Sequence, residues 1–144
     1  MRVAQVVRSF GLAGGMESYV WKLSRSLVNK GVEVEVVCER VTTNPDFDVK
    51  VSRVPASTQC RRWKAMREFR ERSSGLLERL RRDGDTIIHS HERSIYHHVT
   101  TIHGPPMPAF SSLPWYKKLS PRVRAWTQWE HEEVCANGLV SVVP

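Results

Sequence analysis

The sequence is short of cysteine, of acidic residues and of long apolar stretches, and each shortage narrows what the chain can be. Three cysteines in 144 residues, Cys38, Cys60 and Cys135, form no CxxC pair. That argues against a disulfide scaffold or a zinc finger and fits a reducing cytoplasm. No run approaches the roughly 18 apolar residues of a membrane span, and the N-terminus lacks the long apolar core of a signal peptide. Asp and Glu number 15 against 22 Lys and Arg, a formal charge of +7 with a pI near 9.8. Such a surface attracts polyanions, whether nucleic acid, anionic lipid or phosphorylated sugar, without choosing among them. Several motifs are missing as well. There is no GxxxxGK[ST] phosphate loop, no GxGxxG, no GxSxG nucleophile elbow, and no helix-turn-helix, RNP or KH pattern.

What is present is one strong stretch, Met1 to Lys30. Val3, Ala4, Val6 and Val7 form a near-continuous apolar run, as expected of a strand buried on both faces of a parallel sheet. Met16, Tyr19, Val20, Leu23 and Leu27 then recur at helical spacing and predict one buried stripe. Between them stand Gly11, Gly14 and Gly15. A strand that enters a helix through glycines leaves backbone N–H groups at the helix N-terminus, a place for an anion, and Gly14 and Gly15 would let a phosphate or sugar approach the main chain. The plainer reading is that these glycines only make the turn.

The same alternation of elements continues along a chain of one-domain size with 40% hydrophobic content. Gly31 predicts a helix C-cap, Val32 to Cys38 a second strand and Val49 to Val54 a third, stopped by Pro55. Residues 60–83 hold nine Lys or Arg against four acids and predict a basic amphipathic helix. Its apolar side is Trp63, Met66, Phe69, Leu76, Leu77 and Leu80, with a weak point at Ser73-Ser74-Gly75. That helix offers a surface for anionic membrane or a phosphorylated lipid-linked substrate; the plainer reading is a solvated face whose arginines pair with nearby acids. Asp85 to Ser90 and His98 to His103 predict two further strands, each ending in polar groups, and strand ends are where open α/β sheets bind ligands. A proline-rich loop follows from Pro105 to Pro114. Ser120-Pro121 predicts the start of a helix running to Asn137-Gly138, and Leu139 to Val143 a last strand. The chain stops just after that strand, as a truncated α/β protein would.

Six histidines raise a metal reading. His89 and His91 would share a strand face, and His97, His98 and His103 are close in sequence. No carboxylate or cysteine stands at a tight ligand spacing beside them, so no metal site is expected. Trp63, Trp115, Trp126 and Trp129 could stack bases, but tryptophan at helical spacing more often fills a core, and no nucleic-acid function is expected.

Taken in order, Gly14-Gly15-Met16-Glu17, the helix ending at Lys30-Gly31, Val32 to Val36, DTIIHSH and TTIHG resemble the N-terminal domain of GT-B glycosyltransferases of family 4. The family's usual form is GGxE, an apolar helix and GHxVxV; here Val32 stands where His is commonest. WYKKLSPRVRAWTQWEHEEV followed by LVSVV resembles the helix and strand that close that domain, most like the lipopolysaccharide-core glucosyltransferase branch. The resemblance covers nearly the whole chain. It implies an α/β, Rossmann-like three-layer domain over residues 1–144 with a mainly parallel sheet, the acceptor-side half of a GT-B fold lacking its C-terminal donor-binding domain.

By that resemblance the function is transfer of a sugar from a sugar nucleotide to a cell-envelope glycan or glycolipid, with the 144-residue chain alone inactive. No cofactor is implied beyond the sugar nucleotide as co-substrate. The location implied is the cytoplasm, with residues 61–82 available to meet the inner face of a membrane. Gly14 and Gly15 would lie against the donor diphosphate, and Glu17 completes the GGxE motif. His103 would be the active-site histidine, followed by Gly104. His91, Glu92 and Arg93 would contact substrate, with Arg93 paired to a phosphate. One departure is the connection between His91 and His103, only eleven residues (92–102) where the family has a helix. It implies a rearranged sheet edge and weakens any transfer to Tyr96, His97 or His98. The rival reading is a non-catalytic α/β module that uses the basic helix to contact an anionic membrane or a protein partner.

Overall fold

A computed structural model describes residues 1–103, 110–135 and 139–143. The chain runs β1 (Arg2–Val6), β2 (Ser9–Phe10), α1 (Gly15–Asn29), β3 (Glu33–Cys38), β4 (Arg40–Val41), β5 (Lys50–Arg53), α2 (Arg62–Arg82), β6 (Thr86–Ser90) and β7 (Val99–His103). After a 3₁₀ turn (Phe110–Ser112) come α3 (Trp115–Lys118), α4 (Pro121–Cys135) and β8 (Leu139–Val143).

The apolar run of β1 is explained by its place in the middle of a six-stranded sheet of order β5-β3-β1-β6-β7-β8, parallel throughout, with helices on both faces. Val34, Val36 and Cys38 of β3 pack with Val20 and Trp21 of α1. Ala4, Val6, Val37 and Ile88 point the other way, onto Met66, Phe69 and Leu77 of α2 and Trp129 of α4. The expected α/β, Rossmann-like three-layer domain is the fold observed. β1 leads through α1 to β3 on one side, while β5 leads through α2 to β6 on the other. The order therefore reverses at β1, and a crevice opens outside the strand ends where β1 and β6 lie side by side.

Local signals are honoured where they are strong. Gly31 adopts φ 76° after α1, and Val32 N–H reaches back to the Leu27 carbonyl at 3.0 Å, closing the helix as a glycine cap should. Arg124 N–H donates to the Ser120 carbonyl at 3.0 Å in the first turn of α4. α2 passes unbroken through Ser73-Ser74-Gly75 because burial of Met66 and Phe69 before it, and of Leu77 and Leu80 after it, outweighs the low helix propensity there. In α1 the buried stripe is rotated from the expected one: Val20, Trp21 and Ser24 face the sheet, and Tyr19 stands at the rim. Gly104, the rest of the segment to residue 109 and the expected helix end at Asn137-Gly138 lie outside the described residues. Among the described residues no helix is long and apolar enough to cross a membrane.

The short connection from β6 to β7 has a specific solution. A parallel pair ordinarily needs a crossover of a dozen residues or more to return to the start of the first strand. Here β7 pairs only with the last two residues of β6, His89 with Val99 and Ser90 with Thr100. The chain has only to drop back to the level of His89, where His98 N–H donates to the Ile88 carbonyl at 2.8 Å and Ile88 N–H donates to His98 Nδ1 at 2.9 Å. β7 then overshoots β6, carrying His103 beyond the end of β6 while it stays paired with Val143 of β8.

Candidate active site

That overshoot brings together residues far apart in sequence. His91, at the first position after β6, is fixed by its own N–H donating to the Val6 carbonyl at 3.0 Å. Its ring Nε2 lies 2.7 Å from Gln5 Oε1 and its Nδ1 lies 3.2 Å from His103 Nε2. With Gln5 Oε1 accepting from His91 Nε2–H, the Nδ1 of a neutral His91 accepts from His103 Nε2–H. His103 is then held as one tautomer, with its Nδ1 lone pair free. Burial, and secondarily the charges of His89 and His103, hold His91 far below the usual imidazole range, so it stays neutral. Burial also lowers His103, opposed by the nearby carboxylate of Glu17. Tyr19 of α1 packs edge-on against both rings, its centroid 5.7 Å from that of His91 and 5.3 Å from that of His103. His89 stacks on His91 at 4.2 Å and meets Thr101 Oγ1 at 2.7 Å; burial first, and then the charge of His103, takes it down to about 4.

The three glycines of the turn play different parts. Gly11, at φ 150°, lies where a Cβ would fall 2.1 Å from Thr42 Oγ1 and 2.8 Å from the Thr43 amide nitrogen, so it serves the turn itself. A Cβ on Gly14 would fall 2.3 Å from Glu17 Oε2, because Glu17 folds back over the start of α1 where the helix dipole favours a carboxylate. Gly15 has open space around it, and α1 has no side-chain cap.

Two hollows flank this group and share Arg62. One, of about 480 Å³, is lined by Arg8, Glu17, Arg40, Arg62 and Glu92 among others. Burial raises the Glu92 carboxyl to about 7 against the opposing pull of Arg8 and Arg62. The other is a cleft of about 810 Å³ between the N-terminal ends of α2 and α4, lined by Arg61, Arg62, Arg93, Arg122, Trp126 and His103 among others. Arg93 is already engaged, 2.6 Å from Glu130 and stacked 4.6 Å from the Trp126 ring centre. It lines a wall of the cleft with those contacts in place.

Of the residues expected in a site, the structure therefore gathers Gly14, Glu17, His91 and His103 at one sheet edge, with Gly15 adjoining in α1. Glu92 and Arg93 fall in the two hollows, and Gly104 lies outside the described residues. His97 and His98 are not part of it: His97 Nε2 bonds the Glu133 carbonyl at 3.1 Å and His98 bonds the β6 backbone. Among the described residues no three His, Cys, Asp or Glu side chains are grouped as metal ligands. Sequence reasoning missed Gln5, Tyr19, Arg8 and Arg122. Gln5 left a trace, being the one polar residue inside the first apolar run.

The basic face of α2 is neutralised in part, by acids of its own and by one on α4. Arg67 pairs with Glu71, Arg70 with Glu132, Arg72 with Glu68 and Arg82 with Glu78. Among the described residues Arg61, Arg62 and Lys64, at the cleft end, have no salt-bridge partner, nor do Arg79 and Arg81 near the other end.

Residues 13–139 match the profile of Glycosyltransferase Family 4. A solved structure, that of WaaG, a glycosyltransferase involved in lipopolysaccharide biosynthesis, superposes with a TM-score of 0.74 at 11% sequence identity, a likeness of fold. It covers 97% of this chain and 37% of WaaG, so the chain spans just over a third of that protein's length. No curated protein matches the chain.

Proposed function

The chain belongs to Glycosyltransferase Family 4, and on that premise we propose that it is the N-terminal, acceptor-side half of an enzyme that moves a sugar from a sugar nucleotide to a cell-envelope glycan or glycolipid. The observation that carries the reading is the placement of His103. It lies at the carboxyl end of the sheet, beyond the end of β6, beside the α1 residue Tyr19 on one side and the arginine-lined cleft on the other. The donor diphosphate lies over Gly15 and the start of α1, where the space is open and backbone N–H groups point outward. The acceptor enters through the cleft. His103, neutral and oriented by His91, hydrogen-bonds a sugar hydroxyl or the charge that develops as the glycosidic bond to the diphosphate lengthens. A second domain supplies the remaining contacts to the nucleotide, and the 144-residue chain alone does not turn over.

The test is an assay of nucleoside diphosphate release by a full-length enzyme carrying this domain, across a panel of sugar nucleotides. Release is expected with at least one donor, and His103→Ala is expected to lower turnover by about 10²-fold with a smaller change in donor KM. A full-length enzyme that neither transfers nor hydrolyses any sugar nucleotide overturns the assignment.

A further inference from the structure

Resting on that reading, we infer that the cleft between α2 and α4 is a subsite for an acidic sugar, and that the acceptor carries a phosphate or carboxylate close to the hydroxyl that receives the new sugar. Arg61, Arg62 and Arg122 line one cavity of about 810 Å³, and no Asp or Glu is among its lining residues. Among the described residues none of the three has a salt-bridge partner; farther along α2, Arg67, Arg70, Arg72 and Arg82 are matched with acids one turn away or on α4, while Arg79 and Arg81 form no salt bridge. What sets the cleft apart is that three arginines without salt bridges line one hollow with no acid among its lining residues. Three like charges around one hollow repel each other, and an anion entering between them relieves that repulsion. The guanidinium fork also matches phosphate and carboxylate oxygens two at a time.

Three further features narrow the ligand. The site is a concavity, which a flat bilayer surface cannot enter. The glycine turn does not line it, so the anion held here is distinct from a diphosphate over Gly15. His103 does line it, so a sugar whose acidic group sits among the arginines brings its hydroxyls to the imidazole. Arg93 is held by Glu130 and Trp126 and shapes the wall, leaving anion recognition to the other three.

The experiment is a titration of the isotope-labelled chain, followed by amide NMR, with four separate probes: glucose 6-phosphate, glucuronate, glucose and inorganic phosphate. At least one acidic sugar is expected to bind ten times tighter than glucose and than inorganic phosphate, shifting the amides of Arg62, Trp63 and Arg122. The two acidic probes tell a phosphate-bearing from a carboxylate-bearing acceptor. Arg62→Gln with Arg122→Gln is expected to remove at least tenfold of that affinity, while Arg79→Gln, on the exposed side of α2, leaves it unchanged. Equal binding of glucose and the acidic sugars, no binding of any, or full retention of affinity in the double variant overturns the inference. Phosphate binding as tightly as glucose 6-phosphate marks a bare anion patch and also overturns it. A parallel titration with UDP-glucose separates the two claims. Shifts at Gly15 and Met16 with no response to acidic sugars sink this inference alone; the reverse pattern leaves the cleft assignment standing and counts against the donor site.

Discussion

The two walls of the crevice are built on opposite principles. On the sheet side, Gln5, His91, His103 and Tyr19 are packed ring on ring, their polar atoms largely turned to one another and away from water. On the helix side, Arg61, Arg62 and Arg122 are exposed and, among the described residues, form no salt bridge. Groups that satisfy each other hold a shape, and groups that satisfy nothing in the protein are kept for something outside it. The first wall, His103 apart, should therefore respond to substitution chiefly in stability, and the second chiefly in binding.

Four tests, using six variants, probe that division in descending order of effect on folding. Gly11→Ala, which forces a Cβ into Thr42 and Thr43 at a left-handed φ, is expected to cost about 2–4 kcal/mol in urea unfolding, whereas Gly15→Ala in open space costs under about 1 kcal/mol. Equal losses at the two positions would erase the distinction between a glycine of the turn and a glycine of the site. Gln5→Leu leaves the buried His91 Nε2–H unpaired and is expected to cost about 1–3 kcal/mol. Nitrogen NMR of the His103 ring should then show mixed tautomers where the parent shows one.

The third test is pH. Burial takes His89 down to about 4 in the folded protein, below the ordinary imidazole value of 6.5, so its share of stability is present above pH 6.5 and is lost as pH falls towards 4. Glu92 is shifted the other way, from 4.5 to about 7, so its share is complete below 4.5 and is lost as pH rises to about 7. The slopes oppose each other between pH 4.5 and 6.5. His89→Gln should tilt the stability profile downward with rising pH and Glu92→Gln should tilt it upward, each by on the order of 1–2 kcal/mol across the window. Profiles that stay parallel to the parent would remove both residues from the account. Smallest of all, replacing Arg61, Arg62 and Arg122 together by Gln is expected to move folding stability by less than about 0.5 kcal/mol per site, with a gain as plausible physically as a loss. A large destabilisation would show that the arginines hold the fold after all.

Much of the fold could be read from local pattern. The apolar run of β1, the glycines after it, Gly31 and Ser120-Pro121 each act within a few residues, and their elements stand where they were expected. Elements set by distant partners were not legible. β2 and β4 are two residues long and exist only because Ser9 and Phe10 pair with Arg40 and Val41. The buried stripe of α1 is set by how the helix crosses the sheet, so Trp21 and Ser24 turned inward and Tyr19 was released to the histidines. For the site, the family resemblance pointed to His103 and His91, but the contact between them depends on strand register. Gln5 looked like an interruption of an apolar run and proved to be the hydrogen-bond partner that explains it. Arg93 was legible as a charge near the site, yet its pairing with Glu130, 37 positions away, was not.

The stagger between β6 and β7 also makes the location of the imidazole quantised. Because side chains alternate along a strand, moving β7 by one residue would turn His103 to the opposite face, while moving it by two would keep the face and displace the ring by about 7 Å. Length changes in the 91–98 segment can therefore shift the reacting geometry only in paired steps. A protein of this design adjusts its reach by whole rungs of a ladder, with nothing in between.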